Sequence, residues 1–106
     1  MSDNKPITLI NVFSVRPGKQ QELLDHVSEF SERVAKKMPG FISATFHASF
    51  DGSRVVNVAQ WESTEAFYAF LDSPGGRADR GQYGHMTQRI EYNLYTAAAQ
   101  IEPTKE

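Results

Sequence analysis

From residue 7 to residue 15 the chain places Ile7, Leu9, Phe13 and Val15 at alternate positions, with Asn11 in phase among them, a period that predicts a strand. The polar residues 1–6 before it read as a loose lead-in. Arg16-Pro17-Gly18-Lys19 turns the chain, and the apolar period then lengthens. Leu23, Val27, Phe30, Val34 and Met38, joined by Leu24 and Ala35, make one buried stripe of a helix. Glu22 and Asp25 stand early in it and Arg33, Lys36 and Lys37 late, as the helix dipole prefers, and Pro39-Gly40 ends it.

Residues 39–63 return to period two and organise the rest of the chain. Aromatic and β-branched residues flank Asp51-Gly52-Ser53, and an Asp-Gly pair between two such runs signals a hairpin. A three-residue loop sets His47 opposite Asn57, Thr45 opposite Ala59 and Ser43 opposite Trp61. Strand alternation then gathers Phe41, Ser43, Thr45, His47, Val55, Asn57, Ala59 and Trp61 on one mixed face. Ile42, Ala44, Phe46, Ala48, Phe50, Val56, Val58 and Gln60 form the other, almost wholly apolar. A two-residue Asp-Gly loop would slide the pairing by one and set Asn57 opposite Phe46. The first register is preferred because it collects the polar groups.

Ser63 or Thr64 caps a second helix running to about Asp72, with Glu65 in its first turn and Ala66, Phe67, Phe70 and Leu71 as its apolar side. Pro74-Gly75-Gly76 stops it. Residues 77–86, glycines among charges, suit either a short helical turn or a lid. Residues 88–99 alternate Ile90, Tyr92, Leu94 and Thr96 against Glu91, Asn93, Tyr95 and Ala97, which suits a last strand, although the alanines could also extend a helix. Residues 100–106 are a polar tail.

The order β-α-β-β-α-β predicts an α+β, ferredoxin-like fold: one antiparallel sheet with two helices packed on one face. Two helices leave the second face bare. An apolar hairpin face with Phe46, Phe50, Val56 and Val58 would then stand in water, and a homodimer packed sheet against sheet removes it.

At 106 residues the chain has the length of a single domain, core about 7–100, so any pocket lies inside that core or at a subunit boundary. A net charge of −2 and no basic block denser than Lys36-Lys37 argue against nucleic acid or an anionic membrane as partner. The sequence has no cysteine, which excludes thiolate nucleophiles, iron–sulfur clusters and Cys-based zinc sites. Neither metal-ligand spacing nor a phosphate loop is present, and with no signal peptide or spanning apolar run the expected location is the cytoplasm.

Pro39-Gly40-Phe41, the run from Ser43 to Ser49 (SATFHAS), Asp51-Gly52, and Val55-Val56-Asn57-x-Ala59-Gln60-Trp61-Glu62-Ser63 resemble the antibiotic biosynthesis monooxygenase family. The likeness is strongest to its cofactor-independent enzymes that oxidise anthrones in aromatic polyketide pathways. The resemblance implies a dimeric α+β barrel with a pocket between sheet and helices in each subunit. It implies no cofactor, dioxygen as co-substrate, and an anthrone- or hydroquinone-like substrate converted to a quinone. Asn57 and Trp61 match family residues implicated in substrate binding and oxidation, and His47 matches a pocket histidine. Arg80 matches the family arginine by its distance from Pro74, with Arg77 as rival. Two family tyrosines are replaced by Phe46 and Phe67, so the proton path must differ; Tyr68 and Tyr83 are candidate substitutes. Asn57, Trp61, Arg80 and His47 form the expected catalytic set, and Asn11, Phe46, Phe67, Tyr68 and Arg77 the expected substrate-binding set.

The chemistry suits these types. A deprotonated anthrone or hydroquinone can give an electron directly to dioxygen, so the protein's task is to hold flat rings, favour the anion and limit water. Amide and indole N–H groups donate to an oxyanion, Arg80 adds fixed charge, and an imidazole accepts a proton near neutral pH. Each residue also has a plain structural role: Trp61 as core packing, Asn57 as a partnered strand amide, His47 as a pocket wall, Arg77 and Arg80 as solvated loop charges, His26 as an exposed helix residue. Asn11 suits a sheet edge or a pocket equally. Two other functions compete. Asn11 and Trp61 also resemble pocket residues of haem-degrading monooxygenases of the same superfamily, whose axial histidine follows the second helix, where this chain offers only His85. The third is a non-catalytic dimeric module that binds a small aromatic molecule.

Overall fold

Alternation from Ile7 and the lengthened period from Leu23 build what they predict, a strand β1 (Ile7–Val15) and a helix α1 (Gln20–Arg33). The structure, a computed structural model, describes residues 6–105; most of the expected N-terminal lead-in (residues 1–5) and residue 106 of the expected tail lie outside the described residues. α1 buries Leu23, Val27 and Phe30 and ends five residues before Met38, the last residue of the stripe, because the chain tightens into a 3-10 turn at Ala35–Lys37 before Pro39. β2 (Phe41–Ala48), β3 (Arg54–Trp61), α2 (Thr64–Asp72), a short α3 (Pro74–Asp79) and β4 (Thr87–Tyr95) follow. The sheet order is β2-β3-β1-β4 with every neighbour antiparallel, which is the ferredoxin-like βαββαβ arrangement with α3 added. β4 ends at Tyr95, so the alanines beyond it extend neither strand nor helix.

The hairpin takes the register that sets Asn57 opposite Phe46, not the one that collects the polar groups. Phe46 pairs with Asn57, His47 with Val56 and Ala48 with Val55, and the loop is four residues long, closed by Ser49 N–H donating to Arg54 O at 3.0 Å. Asp51 organises that loop by accepting from Ser53 N (2.9 Å), Ser53 Oγ (2.7 Å) and Ser49 Oγ (2.8 Å), which holds its carboxyl down at about 2. A bulge between Phe41 and Ser43 leaves Ile42 outside the pairing and re-phases β2, so Phe41, Ala44 and Phe46 all point at the helices. Ser43, Thr45 and His47 take the outer face. Burying Phe46 and Ala44 wins over collecting polar groups. The bare face is therefore mixed rather than apolar: Ile10, Val12, Val56 and Val58 share it with His47 and with Thr8, whose hydroxyl donates to Gln60 Oε1 at 3.0 Å. Phe50 belongs to neither face, standing exposed at the tip of the turn.

Pro74-Gly75-Gly76 does stop α2, but it also starts α3. Ser73 serves both helices: its hydroxyl donates to Phe70 O (2.7 Å) and accepts from Gly76 N (3.1 Å). The two glycines allow a close return. A Cβ on Gly75 would lie 2.8 Å from Val34 Cγ1, and one on Gly76 2.3 Å from Phe70 O. This packing carries the following residues, Asp79, Arg80 and Tyr83, to the mouth of the space between sheet and helices.

Gly40, which turns the chain into β2, has φ +88°, and a Cβ there would lie 2.4 Å from Ala66 Cβ. Gly40→Ala is expected to destabilise by at least about 1–3 kcal/mol, the usual cost of a left-handed non-glycine residue, with the clash in addition. Urea unfolding measures it; an unchanged midpoint would show that β2 can shift away from α2.

Candidate active site

Side chains from the four strands meet the helices in rows. At one end of the sheet Phe13, Val15 and Val55 pack with Leu23, Val27 and Met86. At the other, Leu9, Ala59 and Trp61 pack with Phe67, flanked by Phe41 and Phe70. The row between is Phe46, Asn57, Asn11 and Tyr92, read across β2, β3, β1 and β4. Here the core opens into a cavity of about 320 Å³, at the lower end of the range for small-molecule sites.

Asn11 and Asn57 stand opposite one another on β1 and β3. The Oδ1 atom of each is buried with no hydrogen-bond partner among the described residues, and both side chains line the cavity. Buried amides are nearly always partnered, because an unpartnered one costs about 1–3 kcal/mol. These two groups face a space in which a ligand hydroxyl can donate to them. The question of edge or pocket for Asn11 is thereby resolved in favour of the pocket.

Trp61 lies on the same side of the sheet as Asn57, 1% exposed, and lines the cavity. Its ring stacks on Phe70 (5.1 Å between centroids, 27°) and meets Phe41 and Phe67 edge-on. One face of the indole is thus occupied by protein. Phe46 and Phe67 also line the cavity.

Arg80 rather than Arg77 reaches the site. Arg80 lines the cavity while its Nη2 donates to Leu71 O at 2.7 Å, which pins the guanidinium to the end of α2. Arg77 turns away to Asp72, donating to its carbonyl at 3.1 Å and pairing with its carboxylate at 3.7 Å in solvent. Two expected site residues and the ligand of one alternative reading lie elsewhere. His47 is exposed on the outer face, a direct result of the register. Tyr68 is 46% exposed and does not line the cavity. His85, the only candidate axial ligand for haem, is exposed, hydrogen-bonded to Glu22 at 2.8 Å and absent from the cavity wall.

The structure adds residues that the spacing alone does not single out. Tyr92 enters the polar row because β4 pairs it with Asn11. Asp79 and Tyr83 line the mouth, where the Tyr83 hydroxyl donates to Asp79 Oδ2 and His26 Nε2 meets Asp79 Oδ1 at 2.8 Å. His26 is half-buried rather than exposed, its ring edge-on to Tyr83 at 5.1 Å. A signal existed for it: His26 stands three residues after Leu23, at the margin of the buried stripe. Burial, followed by the Asp79 hydrogen bond, raises the Tyr83 phenol well above its ordinary range, so it stays protonated. Among the described residues no three His, Asp or Glu side chains converge as a metal-ligand set, and no helix is long and apolar enough to cross a membrane.

Known proteins share this fold. A monooxygenase of Streptomyces coelicolor, solved in complex with nanaomycin D, superposes with a TM-score of 0.79 at 28% identity, covering 97% of this chain and 96% of that one. SnoaB, a cofactor-independent oxygenase from Streptomyces nogalater, shares the fold (TM-score 0.73, 24% identity, 93% of this chain and 99% of that one). Tetracenomycin-F1 monooxygenase of Streptomyces glaucescens is 54% identical over 67 residues, a match that spans 63% of this chain and 60% of the length of that relative. The profile of the antibiotic biosynthesis monooxygenase family matches residues 6–78, which include Asn11, Asn57, Trp61 and Phe67, and the chain belongs to that family.

Proposed function

We propose that this protein is a cofactor-independent monooxygenase that uses dioxygen to convert an anthrone- or hydroquinone-like aromatic substrate to a quinone, acting as a homodimer in the cytoplasm. One observation carries the reading: two facing asparagines with unpartnered buried oxygens, set in a cavity whose other walls are mostly aromatic. Flat rings fit between the walls of Phe46, Phe67 and Trp61. A ring hydroxyl donates to an asparagine Oδ1, and amide N–H groups of the same pair stabilise the oxyanion as the substrate loses its proton. Arg80 adds positive charge at the mouth. The anion then passes an electron to dioxygen, the two radicals combine at carbon, and the resulting hydroperoxide loses water. For an anthrone the methylene and O2 become a carbonyl and H2O, so atoms balance without an added reductant.

The relatives support the reading in their own names, as a monooxygenase bound to nanaomycin D and as an enzyme acting on tetracenomycin F1. The homodimer is supported by the bare outer face, where Ile10, Val12, Val56 and Val58 lie half-buried and a second copy would cover them. The cytoplasmic placement rests on the sequence alone.

Mixing the protein anaerobically with 1,8-dihydroxyanthrone and then admitting oxygen tests the proposal. Quinone absorbance and oxygen uptake above the spontaneous rate are expected. Binding without either would make the protein a non-catalytic aromatic-binding module.

A further inference from the structure

With an anthrone the proposed reaction must remove a proton from carbon inside a largely apolar cavity, and the two tyrosines that the family resemblance leads one to expect are phenylalanines here, Phe46 and Phe67. His47 cannot take the proton, since it lies across the sheet. The cavity wall holds two hydroxyl-bearing phenol rings, Tyr92 and Tyr83. Among the described residues only Tyr83 of the two has a hydrogen-bonded route onward: its hydroxyl donates to Asp79, and Asp79 meets His26 Nε2 at 2.8 Å. Exposure rises along that line, from a carboxyl side chain 10% exposed to an imidazole 27% exposed.

Resting on the oxygenase reading, we propose that Tyr83, Asp79 and His26 form a proton relay from the cavity to solvent, doing the work of the absent phenols. The substrate C–H bond breaks, its electron pair stays on the ring system, and the proton goes to Tyr83 Oη as the Tyr83 proton passes to Asp79. The Asp79–His26 pair enters holding one proton between Oδ1 and Nε2; as Asp79 Oδ2 takes the Tyr83 proton, that proton passes fully to Nε2 and the imidazole releases one from Nδ1 to water. The same line returns one proton to the peroxide, so the relay is restored after each turnover. Tyr83 is the member that touches substrate; Asp79 carries the proton onward and fixes the phenol, and His26 opens the line to water.

The geometry supports conduction over mere bracing. The Tyr83 ring is already held by packing, against Phe13 at 5.7 Å and His26 at 5.1 Å, so its orientation does not depend on the hydroxyl alone. A carboxylate with little exposure between a phenol and an imidazole bridges two groups that differ widely in acidity. The other charged groups near the line are Glu29 and Arg33, on α1 with His26, and Arg80, beside Asp79.

Anaerobic hydrogen–deuterium exchange at the methylene of bound 1,8-dihydroxyanthrone, followed by NMR, reads proton abstraction without oxygen chemistry. The protein is expected to accelerate exchange over buffer. Tyr83→Phe, which removes one oxygen, and Asp79→Asn, which keeps the shape, are each expected to slow it roughly 10²-fold, the scale of general acid–base catalysis, with anthrone affinity unchanged. His26→Ala should slow it too and recover with added imidazole. The relay is overturned if the protein does not accelerate exchange, if both variants exchange at the original rate, or if they lose exchange only in step with affinity. Quinone formation with relay-independent exchange would leave the oxygenase reading standing and remove the relay. Relay-dependent exchange without quinone would do the reverse.

Discussion

Asn57→Ala is expected to lower quinone formation by roughly 10²–10³-fold, the scale seen when one preorganised oxyanion donor is removed, and to leave the protein as stable as before or slightly more so. The two halves of this result have one cause. Asn57 Oδ1 is buried without a partner among the described residues, so the folded chain already bears the desolvation cost of that oxygen and gains no hydrogen bond to it in return. Truncation relieves the cost while removing the group aimed at the ligand. A strand amide held for structure behaves oppositely, since its loss orphans a partner. Asn11→Ala should show the same split, as Asn11 faces Asn57 directly and shares its environment. Steady-state quinone absorbance and thermal melting on the same samples separate the cases. Unchanged turnover with a lowered melting temperature would assign Asn57 to the architecture and take the oxyanion role away from it.

What could be read in advance follows the range of the interactions involved. β1, the apolar stripe of α1 and the capped start of α2 depend on contacts within a few residues, and each stands where periodicity and capping put it. Ser63 caps α2 by accepting from Ala66 N at 3.1 Å, as its position before the Thr64 helix implies. The hairpin shows where that reach ends. An Asp-Gly turn was legible, but its length is set by Asp51 accepting from Ser53 within the loop and from Ser49 at its closing pair, and the phase of β2 by a bulge at its start. Each shifts the strand by one residue, and one residue decides the face. Asn57 and Trp61 survive that shift because they share β3 and stand four residues apart; His47, on the partner strand, does not. The Tyr83, Asp79 and His26 cluster was further from reach. It joins α1 to a segment 53 residues later, and it forms only because Gly75 and Gly76 let α3 fold tightly back. Without that close return, Asp79 and Tyr83 are two polar residues in a glycine-rich loop.

Trp61 tests whether packing and chemistry can be separated at one residue. Trp61→Ala is expected to destabilise by about 3–5 kcal/mol, the range for emptying a large aromatic site in a core. The indole is 1% exposed, and its truncation strips contacts from Phe41, Phe67 and Phe70 at once. Because the site adjoins an existing cavity, the surrounding rings have room to relax, which favours the lower half of that range. Trp61→Phe keeps an aromatic ring to stack on Phe70 and removes only the N–H and the second ring. It should cost much less stability, and turnover should still fall if the N–H assists the developing oxyanion. Denaturant unfolding gives the first quantity and single-turnover quinone formation the second. Should Trp61→Phe turn over normally while Trp61→Ala unfolds easily, the indole is a wall of the cavity and nothing more, and the charge developing on the substrate must be held by Asn11, Asn57 and Arg80 without it.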